Sequence, residues 1–220
     1  MKNQWGEKYS SILVIPGNDD SAVFDKLFVE AECEGLLHFI SMTKFRYKGI
    51  TFIGYPFVPP TPFQLKDREK YDVSRFVDPG CLPPDVGRRT VVPDYDLEYS
   101  TIAKDLELFS MGEDMNKVIF LFHCPPYQTP LDRAALDGQM FDHVPLDVHI
   151  GSIAIRRFIE EKQPFMTLHG HVHESFRITG AWKTQICKTL CYSAASDKPW
   201  LCVVSIDTEF PEKSSRHELE

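Results

Sequence analysis

Three histidines alternate with other residues in the run Leu168-His-Gly-His-Val-His173, and they set the first chemical question the chain poses. A neutral imidazole is the commonest metal ligand in proteins and suits zinc, iron and manganese. Packing three imidazoles together without a ligand would risk unpaired buried polar groups, so metal binding is the leading chemistry for His169, His171 and His173. On a strand His171 and His173 would share one face, whereas on a turn they can splay toward two adjacent ions. Gly170 supplies backbone freedom for such a turn. Two further candidates stand far upstream, Asn18 in Pro16-Gly-Asn-Asp-Asp20 and His123 in His123-Cys-Pro-Pro126. An amide oxygen beside several imidazoles fits Mn, Fe or Zn better than calcium or magnesium alone. Two such ions, about 3.5–4 Å apart, clamp a phosphoryl group and lower the pKa of a bridging water. Taken singly, each residue has a blander reading, because Gly-Asn is a turn dipeptide and strand-end histidines commonly face solvent.

The elements that would position these residues follow from apolar patterning. Ser11–Ile15 reads as a buried strand stopping at Pro16-Gly17, just before Asn18. Val118–Phe122 reads as a second, ending at His123, and Phe165–Leu168 as a third, ending at His169-Gly-His171. In α/β sheets ligands gather beyond the carboxyl ends of strands, so side chains distant in sequence can converge there. Helices are expected over about Ser21–Glu34, with Val23, Leu27 and Ala31 on one stripe, and near Ser100–Phe109 and Ser152–Lys162, with Pro164 marking the last end. Phe45–Lys48 and Ile50–Gly54 read as a hairpin turning at Lys48-Gly49. Phe176–Thr179, Lys188–Tyr192 and Leu201–Ile206 read as strands of a β-rich carboxyl-terminal part. Between Pro56 and Pro93 eight prolines forbid long regular elements, so this stretch is expected to be a packed flap on a single domain spanning residues 1–220.

Composition narrows the partners. At 220 residues, with 43% hydrophobic and 25% charged residues, the chain suits one soluble fold, and no apolar run reaches the roughly 18 residues of a membrane span. A net charge of −8 argues against nucleic acid as the main partner. It leaves a small phosphorylated substrate open, since bound cations reverse the local field. The polar start Met1–Ser10 lacks the apolar centre of a secretory signal, which points to a cytoplasmic setting in which the six cysteines are reduced. Cys187 and Cys191, four apart with no second pair, read as core thiols. Tyr127, Asp132 and Arg133 are candidates for the mouth of the site. With no Gly-x-Ser-x-Gly elbow, Ser193 and Ser196 read as structural.

Pro16-Gly-Asn-Asp-Asp20, His123-Cys-Pro-Pro-Tyr127 and Leu168-His-Gly-His-Val-His-Glu-Ser175 together resemble the calcineurin-like metallophosphoesterases, in order and in separation, from about Ile12 to Ile206. The resemblance implies an α-β-β-α fold, a two-sheet β-sandwich flanked by helices, with a di-metal site at the strand ends. It implies hydrolysis of phosphomonoesters or phosphodiesters by a metal-activated water. By motif position Asn18, His123 and His171 would bind one metal and His173 the other. Asp19 would stand where the family has a histidine that assists the leaving group, and Asp20 would orient ligands. The family's earlier Asp-x-His and Gly-Asp motifs are not among the residues before Asn18. Two explanations compete: a shortened form of a longer enzyme, preferred here and lacking N-terminal strands, or a natural chain that has lost one metal and is catalytically impaired.

Overall fold

The structure is a computed structural model describing residues 10–220. Its centre is a six-stranded mixed sheet in the order β3-β4-β5-β8-β10-β9. Four strands run parallel in the middle: β4 (Ile50–Tyr55), β5 (Val118–Phe122), β8 (Met166–His169) and β10 (Thr189–Ser193). The edges are antiparallel, β3 (Lys44–Tyr47) pairing with β4 and β9 (Lys183–Ile186) with β10. Central parallel strands are covered on both faces and therefore read as continuous apolar runs, as Val118-Ile-Phe-Leu-Phe122 does. The β3–β4 turn falls on Lys48 and Gly49, both with positive φ (47° and 80°), as a tight hairpin matched to strand twist requires.

Two helices cover one face. α2 (Ile102–Ser110) starts at Thr101, whose hydroxyl accepts the Lys104 N–H at 3.2 Å. α3 (Ile153–Lys162) starts at Ser152, whose hydroxyl accepts the Ile155 N–H at 3.0 Å, and it ends on the left-handed Gln163 before Pro164. Ile102, Leu106, Ile155, Phe158 and Ile159 pack against Ile53, Tyr55, Phe120 and Phe122. Each such side chain contributes about 1.5–3 kcal/mol relative to exposure. The opposite face buries Ile119, Met166 and Tyr192 beneath Trp182, Val204 and Ile206. Val204 belongs to β11 (Leu201–Ser205), which forms a ribbon with β12 (Ser215–Leu219). Among the described residues no helix is long and apolar enough to cross a membrane.

Several expectations meet a different outcome. The strand over Ser11–Ile15 shrinks to β1 (Leu13–Val14), which is only half-buried and lies outside the main sheet. It pairs in parallel with β2 (His38–Phe39), and a single bridge, Ser41 to Gly54, ties this ribbon to β4. The first helix, α1 (Asp25–Cys33), follows a 3₁₀ turn at Ala22–Phe24, but its inner face is rotated. Val23 and Leu27 are exposed while Phe28 stacks on Phe39 with ring centroids 5.2 Å apart. Phe176–Thr179 is not a strand but part of a short helix, α4 (Ser175–Thr179). Its aromatic and β-branched residues favour strand locally, yet Gly180 closes the turn at φ 71° and Thr179 bonds back to the Ser175 carbonyl. Residues 56–93 carry no helix or ladder, only isolated bridges such as Val58–Glu69 and Leu65–Arg88, and they are packed down by the buried charged residues Lys66, Glu69 and Asp72.

Candidate functional site

The turn bearing Asn18 reaches the sheet because β4 carries a glycine where the β1–β2 ribbon crosses it. A Cβ on Gly54 would stand 1.9 Å from the Ile40 carbonyl oxygen and 2.7 Å from Ile15 Cγ2, so no other residue permits this approach. The chain then turns at Gly17–Asp20, where Gly17 N–H donates to Asp20 Oδ2 at 2.7 Å and Asp20 N–H to the Gly17 carbonyl at 3.2 Å. His123 follows β5 directly. Its N–H donates to the Tyr55 carbonyl at 3.0 Å, and its own carbonyl accepts the Gly170 N–H at 2.9 Å. Gly17 lies against the His123 ring so closely that a Cβ would sit 2.8 Å from Cε1. Three loops at the carboxyl ends of the strands are thereby laced together.

Their side chains meet on one atom. Asn18 Oδ1 lies 2.8 Å from His123 Nε2 and 2.9 Å from His171 Nδ1, and the two imidazole centroids are 5.1 Å apart. Without an ion this is a satisfied hydrogen-bond set, two ring N–H groups donating to the two lone pairs of one amide oxygen. Deprotonated at the same nitrogens, the three atoms become three ligands. Ligands at about 2.1 Å from an ion and at right angles are about 3.0 Å from one another, so the observed spacing is within a few tenths of an ångström of a coordination edge. Burial holds both rings neutral, lowering the His123 pKa to about 4 and, with help from neighbouring His123 and His173, that of His171 to about 3. Neutral imidazole is the form that binds metals.

His171 is also strained. Its φ is +68°, and Val172 N–H donates to the Gly170 carbonyl at 2.9 Å, so His171 sits at the centre of a tight three-residue turn. Gly170, expected to carry the special conformation, does not have positive φ; the ligand candidate itself does. Non-glycine residues in this region cost about 1–3 kcal/mol and cluster at functional sites.

The remaining candidates separate. His169 belongs to the core: it lies on β8, accepts at Nε2 from the Thr167 hydroxyl at 2.8 Å and donates from Nδ1 to the Cys124 carbonyl at 2.9 Å. With both nitrogens occupied it is no ligand, which removes it from the expected triplet. His173 is exposed and acts on His123 and His171 through its charge. Asp19 is exposed, with its Oδ1 accepting from the Asn18 amide at 3.3 Å. Asp20 holds the Gly17 backbone and raises the pKa of His123 through its negative charge. Among the described residues no three His, Cys, Asp or Glu side chains converge, and Asn18 is what completes the trio. Of the residues expected at the mouth, Tyr127 bonds Asp147 at 2.6 Å and Arg133 pairs with Asp137. Asp132 is wholly buried and takes up the Nδ1 of His149 at 2.8 Å, a partner that nothing in the sequence spacing pointed to.

No family model matches the chain, and no curated protein is similar to it in sequence. Among solved structures, one crystal structure aligns with a TM-score of 0.59 over 99% of this chain and 69% of that chain, at 15% identity. At that identity the likeness shows a shared fold, a mixed α/β architecture, and nothing about activity.

Proposed function

We propose that the chain is a metal-dependent phosphoester hydrolase of the calcineurin-like metallophosphoesterase kind, acting on a small phosphomonoester or phosphodiester in the cytoplasm. The observation that carries this reading is the meeting of His123 Nε2 and His171 Nδ1 on Asn18 Oδ1, from three loops at one end of the sheet. In this reading Asn18, His123 and His171 hold a divalent Mn, Fe or Zn ion, and His173 faces a second. The central sheet and the β11–β12 ribbon would be the two layers of that family's sandwich. A bound cation supplies a water of lowered pKa and offsets phosphoryl charge. The chain's own part is to keep both imidazoles neutral, to hold them at ligand spacing beside Asn18, and to close the Asn18 turn with Asp20. Asp19 occupies the position of the family's leaving-group residue.

Titration with Mn, followed by hydrolysis of bis-p-nitrophenyl phosphate, tests the proposal. We expect saturable binding and Mn-dependent turnover, with affinity falling roughly 100-fold or more in Asn18→Ala and in His123→Ala. Absence of both binding and turnover overturns it. A second reading, a metal-binding domain without turnover, is favoured by the exposure of His173, which has no hydrogen bond to the Asn18 trio; binding that is lost in the same variants, with no hydrolysis, would select it.

A further inference from the structure

Asp132 and His149 form a second constellation at the same end of the sheet. Asp132 is completely buried, and all four of its lone-pair directions are used. Oδ1 accepts from Thr129 N–H at 2.9 Å and His149 Nδ1 at 2.8 Å; Oδ2 accepts from Gln128 N–H at 2.9 Å and Gly151 N–H at 3.1 Å. A carboxylate fed by three backbone N–H groups is an acceptor, so the imidazole must donate from Nδ1, which leaves Nε2 as the nitrogen free to exchange a proton, on a ring that keeps 29% of its surface. This is the arrangement by which a buried carboxylate fixes the tautomer and orientation of an acid–base imidazole.

The ring is held from other sides as well. His149 N–H donates to Asp147 Oδ1 at 2.8 Å, the same carboxylate that takes the Tyr127 hydroxyl, and the Tyr127 ring lies edge-on to the imidazole at 6.1 Å. Gly151 is glycine because a Cβ would stand 2.7 Å from the Pro125 carbonyl oxygen and 2.8 Å from Asp132 Oδ2. The loop is stitched to the residues that follow His123: Ser152 N–H donates to the Pro125 carbonyl at 2.9 Å and Tyr127 N–H to the Ser152 carbonyl at 3.0 Å. On the other flank Ala135 N–H donates to Glu174 Oε1 at 3.1 Å, next to His173. The loop that carries His149 is thus bonded to the residues that follow His123, and the stretch of chain after Asp132 to the residue that follows His173.

We infer that His149 is the group that protonates the leaving oxygen of the substrate, an assignment that rests on the hydrolase reading above. Asp19 is exposed, and among the described residues its side chain has no hydrogen bond beyond its neighbour Asn18 to hold it in place. In the step, the oxygen of the attacking water forms a bond to phosphorus and the bond from phosphorus to the ester oxygen breaks. That oxygen takes the Nε2 proton of the imidazolium and leaves as an alcohol. The proton released by the water restores the imidazolium, so ester and water become alcohol and phosphate.

The test compares p-nitrophenyl phosphate, whose leaving group needs no proton, with an alkyl phosphate, whose leaving group does. His149→Asn retains an N–H that can reach Asp132. We expect it to lower kcat on the alkyl ester by about 10²–10⁴-fold and on the p-nitrophenyl ester by less than about tenfold, with Mn affinity and Tm unchanged. Equal losses on both esters, or none, would overturn the assignment while leaving the hydrolase reading intact. Failure of the unaltered chain to turn over either ester would remove the hydrolase reading and this assignment with it. Side-chain ¹H–¹⁵N spectra of the unaltered chain give a readout without turnover: neutral His149 should be the Nδ1–H tautomer, and an Nε2–H tautomer overturns the proposal.

Discussion

The insert at 56–93 and the loop cluster around Asn18 both place polar groups out of water, and they do so in opposite ways. In the insert, Lys66 and Glu69 are essentially unexposed and bonded at 2.6 Å. Glu69 also accepts from the Thr61 N–H at 2.8 Å and from its hydroxyl, and Lys66 donates to the Thr61 carbonyl at 2.8 Å. Every partner lies within eight residues, so the cluster forms from one short stretch and substitutes for the secondary structure that its prolines forbid. Asp72 stands outside that local trio and ties the insert to the sheet's cover, accepting from Ser152 Oγ at 2.5 Å and Ile153 N–H at 2.7 Å, 80 and 81 residues away, at the start of α3. Around Asn18 the partners are 105 and 153 residues away, one oxygen is shared by two rings, and His171 is held at positive φ. A saturated, local polar cluster does structural work. A long-range one, built with strain and with atoms that can change partners, is the kind a ligand uses.

The largest effect expected from this contrast is on stability. Lys66→Met leaves Glu69 buried without its counter-charge and should cost about 3–5 kcal/mol in urea unfolding, while Lys66→Met with Glu69→Leu should recover most of the loss. Metal affinity at Asn18 should be unchanged in the double variant. A single substitution costing under about 1 kcal/mol would mean that the insert is as adaptable as the site, and the contrast would fail.

A slightly smaller effect is expected with pH. Burial lowers the His169 pKa from 6.5 to about 4, so below pH 6.5 the unfolded chain takes up a proton that the folded one refuses. Stability present above pH 6.5 is therefore lost as pH falls toward 4, to a limit of about 3 kcal/mol for this group. His123 and His171 act in the same direction. His169→Gln, with nothing to protonate, should lose stability less steeply by about 1.4 kcal/mol per pH unit, read from unfolding curves between pH 6.5 and 4. An unchanged slope would show that His169 is not the core residue its two hydrogen bonds make it.

How much of this was legible follows from where the signals are local. Val118–Phe122 is apolar in every residue, as a central parallel strand must be, and the sequence reading placed it without error. The Asn18 and His123 turns were legible because each ends an apolar run. What depended on packing was not. On β8 Thr167 and His169 share a face and bond each other, but beyond His169 the chain leaves the strand, so alternation no longer tells which imidazole turns inward. The exile of β1 from the main sheet goes with Gly54 meeting Ile15 and Ile40, contacts across 39 and 14 residues of sequence that no local pattern announces. Asp132 and His149, 17 residues apart in irregular chain, have no periodicity that could have joined them.

The smallest effect is the most direct test of strain at the site. Alanine is normally the better residue than glycine, because it loses less backbone freedom on folding. At position 171 the order should invert. Both His171→Ala and His171→Gly remove the imidazole and its bond to Asn18, so their difference isolates the backbone. Alanine must then be held at the observed φ of +68°, which glycine adopts freely. His171→Gly should be the more stable of the two by about 1 kcal/mol in metal-free unfolding, while both lose metal affinity alike. Equal stability, or alanine ahead, would mean that the turn relaxes once the ring is gone. The strain would then be imposed by the side-chain contacts of His171 with Asn18 and His123, and not by the backbone that carries it.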